Sequence, residues 1–406
     1  MSRLGFRLSR SVLSTISPPI ARAYEWAASY PATPHRPLLD MSQGSPGIPP
    51  PQVVRDALAK ASSDTTGYRY LPVLGDEGLR QGLAVEMKRA YGQDSDILQE
   101  DVAITAGCNL AFVAAVMALA DAGDEVILPI PWYFNHQMSL NLLGMKAVPL
   151  PTFASNGFLP SIEVCRRLIS PKTRAIVLVT PNNPTGSTYP ATLLDDFLTL
   201  AQEHKIALVI DETYRDFIPT GAPHNIFSNT QWRSNFVHLF SFSKSYCVPG
   251  LRLGAIVGSP TFLAQVVTTL DCLQICAPRQ IQVALAPLLP SLRGFITENS
   301  AALQHRHALF RDNLPSTWII GSQGAYYAFV KHPYQGISAE VVCKQLAMEI
   351  GVATLPISFF RDENGTVLNE EEDRWIRFSV ANVDDEKVIQ VCQRLAECDK
   401  IFGDGT

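Results

Sequence analysis

Three features of the 406-residue chain predict an α/β fold with two unequal domains. Short apolar runs alternate with helical stretches from residue 101 onward, the order expected of strands and the helices that cover them. Runs such as Ala175-Ile176-Val177-Leu178-Val179 and Ala207-Leu208-Val209-Ile210 are apolar on both faces, as a sheet requires when helices lie on both of its sides. Beyond about residue 290 a few strands stand among longer helices, the pattern of a smaller α+β unit. The expected architecture is a large domain, residues 61–290, with a mostly parallel seven-stranded sheet covered by helices. A smaller α+β domain is expected from residues 291–406 together with part of the N-terminal segment 1–60.

Taken in order, the first 24 residues carry Arg3, Arg7, Arg10 and Arg22, several serines and no acid. That composition overlaps a mitochondrial transit peptide, but the segment runs without a break into Tyr24-Glu25-Trp26, which favours an amphipathic arm docked on the fold or on a partner subunit. Gly44, Pro46, Gly47 and the prolines at 49–51 predict extended chain, followed by a helix at 53–62. Strands are expected at 102–105, 125–129, 147–150, 175–180, 207–211, 237–240 and 253–258. Residues 102–120 carry no charge over a membrane-length span, yet Thr105-Ala106-Gly107 breaks it into a strand, a turn and a buried Ala-rich helix. The C-terminal part predicts a charged helix through His305 and Arg306, strands at 325–330 and 374–380, helices at 338–350 and from 385, and an acidic hairpin or loop at 361–373.

Composition narrows the function. The net charge of -5 with scattered basic residues argues against a nucleic-acid footprint and against a basic membrane-binding face, leaving small molecules as partners. The eight cysteines show no CxxC pair and no zinc-ligand spacing, so no metal site is expected, and Cys272 with Cys276 is expected to pack in a core. Without a secretory leader pattern the thiols read as reduced and the compartment as intracellular, cytoplasmic unless the arm is an import signal.

The chemistry concentrates in a few motifs. Lys244 stands in Ser241-Phe242-Ser243-Lys244-Ser245-Tyr246, and Arg252 follows in Arg252-Leu253-Gly254. A lysine among hydroxyls can bond an aldehyde cofactor covalently while the serines and an arginine hold its phosphate. Upstream stand Pro181-Asn182-Asn183-Pro184-Thr185-Gly186 and Asp211-Glu212-Thr213-Tyr214. Asn183, Asp211 and Lys244 each follow a predicted strand, and in open α/β sheets ligands collect at the carboxyl ends of strands. Together these elements point to a pyridoxal-phosphate site. Asp211 suits the pyridine nitrogen, whose protonation strengthens the ring as an electron sink. Backbone amides after Gly107, at the start of the helix that follows, add phosphate donors to Ser241, Ser243 and Arg252.

From about residue 40 to the C-terminal helix, the order of these motifs resembles the class I/II aminotransferases of pyridoxal-phosphate fold type I. The resemblance implies an enzyme that moves an amino group between an amino acid and a 2-keto acid, with Lys244 forming an imine with the cofactor. It puts Gly107, Cys108 and Asn109 at the phosphate turn and Asn183 and Tyr214 at the cofactor's phenolic oxygen. Tyr133 is to stack on the ring, with Trp132 as competitor, and His136 is to support Asp211. Tyr70, in Tyr68-Arg69-Tyr70-Leu71-Pro72, matches the tyrosine that reaches the phosphate in a neighbouring subunit, which implies a homodimer with shared sites. Arg377, a cation inside the apolar run Trp375-Ile376-Arg377-Phe378, matches the arginine for the substrate's α-carboxylate, with Gly44 facing the same group; an ion pair with Asp373 is the structural alternative.

The stretch Leu355-Pro356-Ile357-Ser358-Phe359-Phe360 departs from the glycine-bearing loop of many relatives. With Tyr133, Phe134, Tyr326 and Tyr327 it suggests an apolar side-chain pocket and an apolar or aromatic amino donor. Elimination, ring closure or decarboxylation on the same scaffold is the rival reaction, since cofactor anchoring is common to all of them. A cofactor-binding regulator without turnover is a further rival, disfavoured because the arm is too short to be a DNA-binding module.

Overall fold

In the computed structural model the described residues are 5–219, 221–361 and 371–403. The seven strands of the large sheet are β1 (Val102–Thr105), β2 (Glu125–Ile130), β3 (Lys146–Pro151), β4 (Thr173–Val179), β5 (Ala207–Asp211), β6 (Phe236–Ser241) and β7 (Gly254–Val257). They lie in the order β1-β7-β6-β5-β4-β2-β3. Only β7 runs antiparallel, pairing with β6 at Leu239 and Ile256 and with β1 at Ala103 and Ile256. The carboxyl ends of the other six therefore share one edge, where ligands collect in such sheets.

Separate apolar clusters cover the two faces of this sheet. One gathers Ile176, Leu178, Leu208 and Ile210 with Phe197, Phe236 and Trp232; the other gathers Val177, Val209 and Leu239 with Ala111, Phe112 and Ala115. Alternate residues of a strand supply opposite faces, so the doubly apolar runs are explained by burial on both sides. The uncharged stretch at 102–120 divides into β1 and the Cys108–Leu119 helix, whose alanines let it lie close against the sheet. Among the described residues no helix is long and apolar enough to cross a membrane.

The smaller sheet holds β8 (Ile319–Gly324), β9 (Tyr327–Lys331), β10 (Leu355–Pro356) and β11 (Trp375–Ser379) in the antiparallel order β10-β11-β9-β8. Leu39 and Asp40 pair in parallel with Val352 and Ala353, which ties the N-terminal segment to the C-terminal part of the chain. The segment expected as a helix at 338–350 is α-helical only over Ala339–Gln345 and then widens into a π-helical turn, Leu346–Ile350. The acidic hairpin or loop expected at 361–373 falls largely on residues 362–370, outside the described residues.

The arm docks on the fold. Its Pro19–Ala27 helix buries Ala23 against Phe134, Leu355, Phe359 and Phe360, and Arg22 pairs with Glu340. The expectation for Cys272 and Cys276 is corrected: Cys272 is exposed on the Pro260–Gln274 helix and Cys276 lies beyond its end, partly exposed, so neither packs in a core. All eight cysteines are free.

Candidate active site

Strand ends deliver the site's side chains. After β1, Gly107 enters the Cys108–Leu119 helix at φ +90°, and a Cβ there would lie 2.2 Å from a guanidinium nitrogen of Arg252. Glycine thus allows both the left-handed backbone and the close approach of that arginine. After β4, Asn182 fixes the Asn-Pro turn by accepting from Thr185 N at 3.1 Å and Thr185 Oγ1 at 2.9 Å, leaving Asn183 free to face inward. β5 ends on Asp211. β6 ends on Ser241, whose Oγ accepts from Ser243 N at 3.2 Å and so starts the one-turn helix Phe242–Ser245 that carries Lys244.

These groups line one cavity of about 290 Å³, with Cys108, Asn109, Tyr133, Asn183, Asp211, Tyr214, Ser241, Ser243, Lys244, Arg252 and Arg377 on its wall. Gly44 lines it too, and Lys244 Nζ donates to the Gly44 carbonyl. Burial, reinforced by Arg377 and Arg252, pushes the Lys244 ammonium down to about 8. Two cations facing one amine favour its neutral, nucleophilic form.

Asp211 stays ionised. Burial works to raise it and is outweighed by His136, whose Nε2 lies 3.2 Å from Oδ2, and by Thr213, whose N and Oγ1 donate to Oδ1 at 3.0 and 2.7 Å. His136 is itself held by Phe112, stacked on it at 4.0 Å. The Cys108 thiol lies 3.7 Å from Asp211 Oδ1, and burial and that carboxylate push its pKa far up, so it is a packed thiol and not a thiolate.

Arg377 is 1% exposed and has no acid partner among the described residues. Its Nη1 donates to Asn183 Oδ1 at 2.8 Å and its Nη2 to the Ser42 carbonyl, while Nε is unpartnered. The alternative ion pair with Asp373 does not form. The rings of Tyr327 and Phe360 lie 4.5 and 5.0 Å from its guanidinium carbon. A buried guanidinium without a carboxylate is a costly arrangement unless a ligand supplies one.

Not every expected residue meets the cavity. Tyr70 is 76% exposed and lies away from the cavity of its own chain. Trp132 is absent from the cavity wall and packs behind it in the core with Phe112 and Leu128, which leaves Tyr133, whose hydroxyl donates to Asn109 Oδ1 at 3.1 Å. Of the expected side-chain pocket, Phe134 and Tyr327 line the wall, whereas Tyr326, Phe359 and Phe360 stand behind it. Ile20, Gln43, Asn135, Val179 and Thr213 also line it without having been singled out. Thr213 had a signal, its place inside the Asp211–Tyr214 motif; Ile20 had none, because the arm's docking is not a local property of its sequence.

The family model for aminotransferase class I and II matches residues 36–395. The chain belongs to that family. This aminotransferase is 30% identical over 332 residues to the valine–pyruvate aminotransferase of Mycobacterium tuberculosis, covering 79% of this chain and 83% of that one. It is 29% identical over 358 residues to an aromatic aminotransferase of Arabidopsis thaliana, covering 86% and 88%. The solved structure of aspartate aminotransferase from Thermus thermophilus with maleate superposes with a TM-score of 0.85 at 25% identity, over 97% of this chain and 99% of that one. Members of the class depend on pyridoxal 5′-phosphate, and this aminotransferase is a transferase of that kind.

The donor set here fits that cofactor. A dianionic phosphate needs fixed donors: Arg252 lies against Gly107 at the start of the Cys108–Leu119 helix, which has no side-chain cap, and Ser241 and Ser243 line the same cavity. The side chain that a larger residue at 107 would bring is missing from that helix start, which keeps it open beside Arg252. At the same cavity stand a carboxylate held ionised, Asp211, and an amine whose pKa is lowered to about 8, Lys244.

Proposed function

We propose that this aminotransferase exchanges an amino group between an amino acid with a neutral, apolar or aromatic side chain and a 2-keto acid, with Lys244 as the residue that bonds the cofactor and moves the proton. One observation carries the reading: an amine lowered to about 8 shares a cavity with a buried guanidinium that lacks an acid partner among the described residues.

Bound pyridoxal phosphate supplies an electron sink for the carbanion left when the Cα proton departs. Everything else falls to the chain. Arg377 Nη1 and Nη2 bind the α-carboxylate and, with the Gly44 backbone, orient the Cα–H bond. With the cofactor bound, Lys244 Nζ, neutral above about pH 8 and freed when the substrate amine replaces it, would take the Cα proton and, as an ammonium, give it up to the cofactor's C4′ carbon. Asp211, braced by His136, would hold a proton on the cofactor's ring nitrogen, and Tyr133 would offer the ring a flat surface. Tyr214 and Asn183 would supply hydrogen bonds to the cofactor's ring oxygen. Tyr70 is assigned to the neighbouring subunit's phosphate, so the working form is a homodimer.

The substrate class rests on the wall. Among the described residues its cations are Lys244, Arg252 and Arg377 and its acid is Asp211, and its apolar and aromatic surface includes Ile20 and Phe134 at the arm and Tyr327 from β9. Arg22, on the arm's helix two residues from Ile20, pairs with Glu340. Among the described residues of one chain, a distal carboxylate or ammonium on the substrate therefore meets no free counter-charge on this wall, while an apolar group finds contacts. The relatives' names point to valine, aromatic and aspartate substrates, so likeness alone does not choose among them.

A spectral screen tests the whole reading. Phenylalanine, leucine and methionine are expected to convert the bound cofactor to its amine form at least about tenfold faster than aspartate or lysine, about 1.4 kcal/mol of discrimination. Release of ammonia or carbon dioxide without that conversion overturns transamination; equal rates for aspartate overturn the apolar pocket.

A further inference from the structure

We propose that Tyr327 is a positioning residue that couples the carboxylate site to the cofactor's tyrosine: its ring lies against the Arg377 guanidinium while its hydroxyl donates to Tyr214. The inference rests on the assignment of Arg377 to the substrate carboxylate and of Tyr214 to the ring oxygen.

The geometry joins the groups in one line. The hydroxyls of Tyr327 and Tyr214 are 2.6 Å apart, and the Arg377 guanidinium carbon lies 4.5 Å from the Tyr327 ring centre. Gly44 makes the place for that hydroxyl, since a Cβ there would lie 1.9 Å from it. Both tyrosines are buried and both line the cavity. A cation against a phenol ring draws electron density from it and makes its hydroxyl the stronger donor. The acidities agree: burial raises both phenols and Arg377 lowers both, but Tyr327 and Tyr133 hold Tyr214 well above the ordinary value, whereas the bond with Tyr214 lowers Tyr327. Either hydroxyl of the pair could donate; the cation against its ring is the ground for giving the donor role to Tyr327, which would leave the Tyr214 proton to point into the cavity. The charged and titratable groups facing the pair are Arg377 from β11, Tyr133 after β2, Lys244 and Asp211 across the cavity, and Tyr326 beside both rings.

The coupling follows from those contacts. A carboxylate on Arg377 neutralises the cation, weakens the Tyr327 donor, and so weakens the bond that Tyr214 gives to the ring oxygen. A less stabilised oxygen anion raises the proton affinity of the adjacent nitrogen. Substrate binding then prepares the site for proton movement.

The test uses the cofactor-loaded protein and the unreactive carboxylate 3-phenylpropionate. In the wild type the pH midpoint of the visible band is expected to rise when this ligand binds; no titrating band, or no response to the ligand, refutes the assignments of Lys244 or Arg377 and the coupling with them. Tyr327→Phe keeps the ring and removes the hydroxyl, and is expected to raise the unliganded midpoint by about half a unit or more, the worth of one hydrogen bond, and to shrink the ligand-induced rise. Tyr214→Phe is expected to raise the unliganded midpoint as well, and the double variant to add nothing further. Asn183, which also bonds Arg377, offers a competing route. The proposal is overturned if Tyr327→Phe titrates like the wild type with an unchanged ligand response, or if Asn183→Ala alone abolishes that response.

Discussion

A buried amine beside two guanidinium groups gives up its proton early, and Lys244 is such an amine. Burial lowers its pKa, so the neutral form that attacks an aldehyde becomes the majority above about 8 and not above the ordinary 10.5. In protein stripped of cofactor, borohydride-trapped capture of pyridoxal phosphate is expected to rise with pH to a midpoint near 8 and then level. A midpoint near 10.5 would show the amine to be solvated. Lys244→Ala is expected to leave no reducible adduct at any lysine. Arg377 makes a separate claim at the same scale: Arg377→Lys removes the planar fork and is expected to lower kcat/KM for the amino donor by roughly 30- to 100-fold, about 2–3 kcal/mol, largely through KM. An unchanged KM would assign the carboxylate to another group. Most of these residues were legible because each sits in a short motif whose polar members interrupt an apolar run, as Arg377 does inside Trp375–Ser379. The hydroxyl pair of Tyr214 and Tyr327 was not legible, since nothing local records a contact across 113 positions.

At the scale of elements, the end of β5 is pinned from behind. Asp211 faces the cavity, and the next residue, Glu212, is fully buried with its Oε2 held by Tyr91 from the Glu77–Tyr91 helix, by His238 of β6 at 3.1 Å and by His224 at 3.1 Å. Burial works to raise Glu212, but the two histidines hold it far below the ordinary range, so its charge is retained through neutral pH. Glu212→Ala removes the carboxylate that Tyr91, His224 and His238 share and is expected to cost about 3–5 kcal/mol, read as a large fall in Tm. Because Asp211 and Tyr214 leave from the same segment, cofactor affinity should fall with it. A Tm within a degree of wild type would mean that packing alone holds the strand end. The elements themselves were readable where period and length agreed, as for β5, expected and found at Ala207–Asp211. The pairing of Leu39–Asp40 with Val352–Ala353 was hidden by its two-residue length and its distance in sequence.

For the whole molecule the deciding residue is Tyr70, which is 76% exposed here and lies outside the cavity of its own chain. An exposed aromatic whose motif matches a phosphate-binding tyrosine makes sense if a second copy brings its own cavity to it. Two crippled variants can decide this without any structure of the pair. In a hybrid of Lys244→Ala with Tyr70→Ala, shared sites would put the intact Lys244 of one subunit beside the intact Tyr70 of the other, giving one complete site per hybrid dimer. Random exchange makes half the dimers hybrids, so the mixture should recover to about a quarter of wild-type activity per subunit, above the mean of the two variants alone. If Tyr70 served its own chain, each hybrid would hold one site without the lysine and one without the tyrosine, and mixing would restore nothing. The two outcomes differ because Lys244 stands on the cavity wall of its own chain and Tyr70 does not.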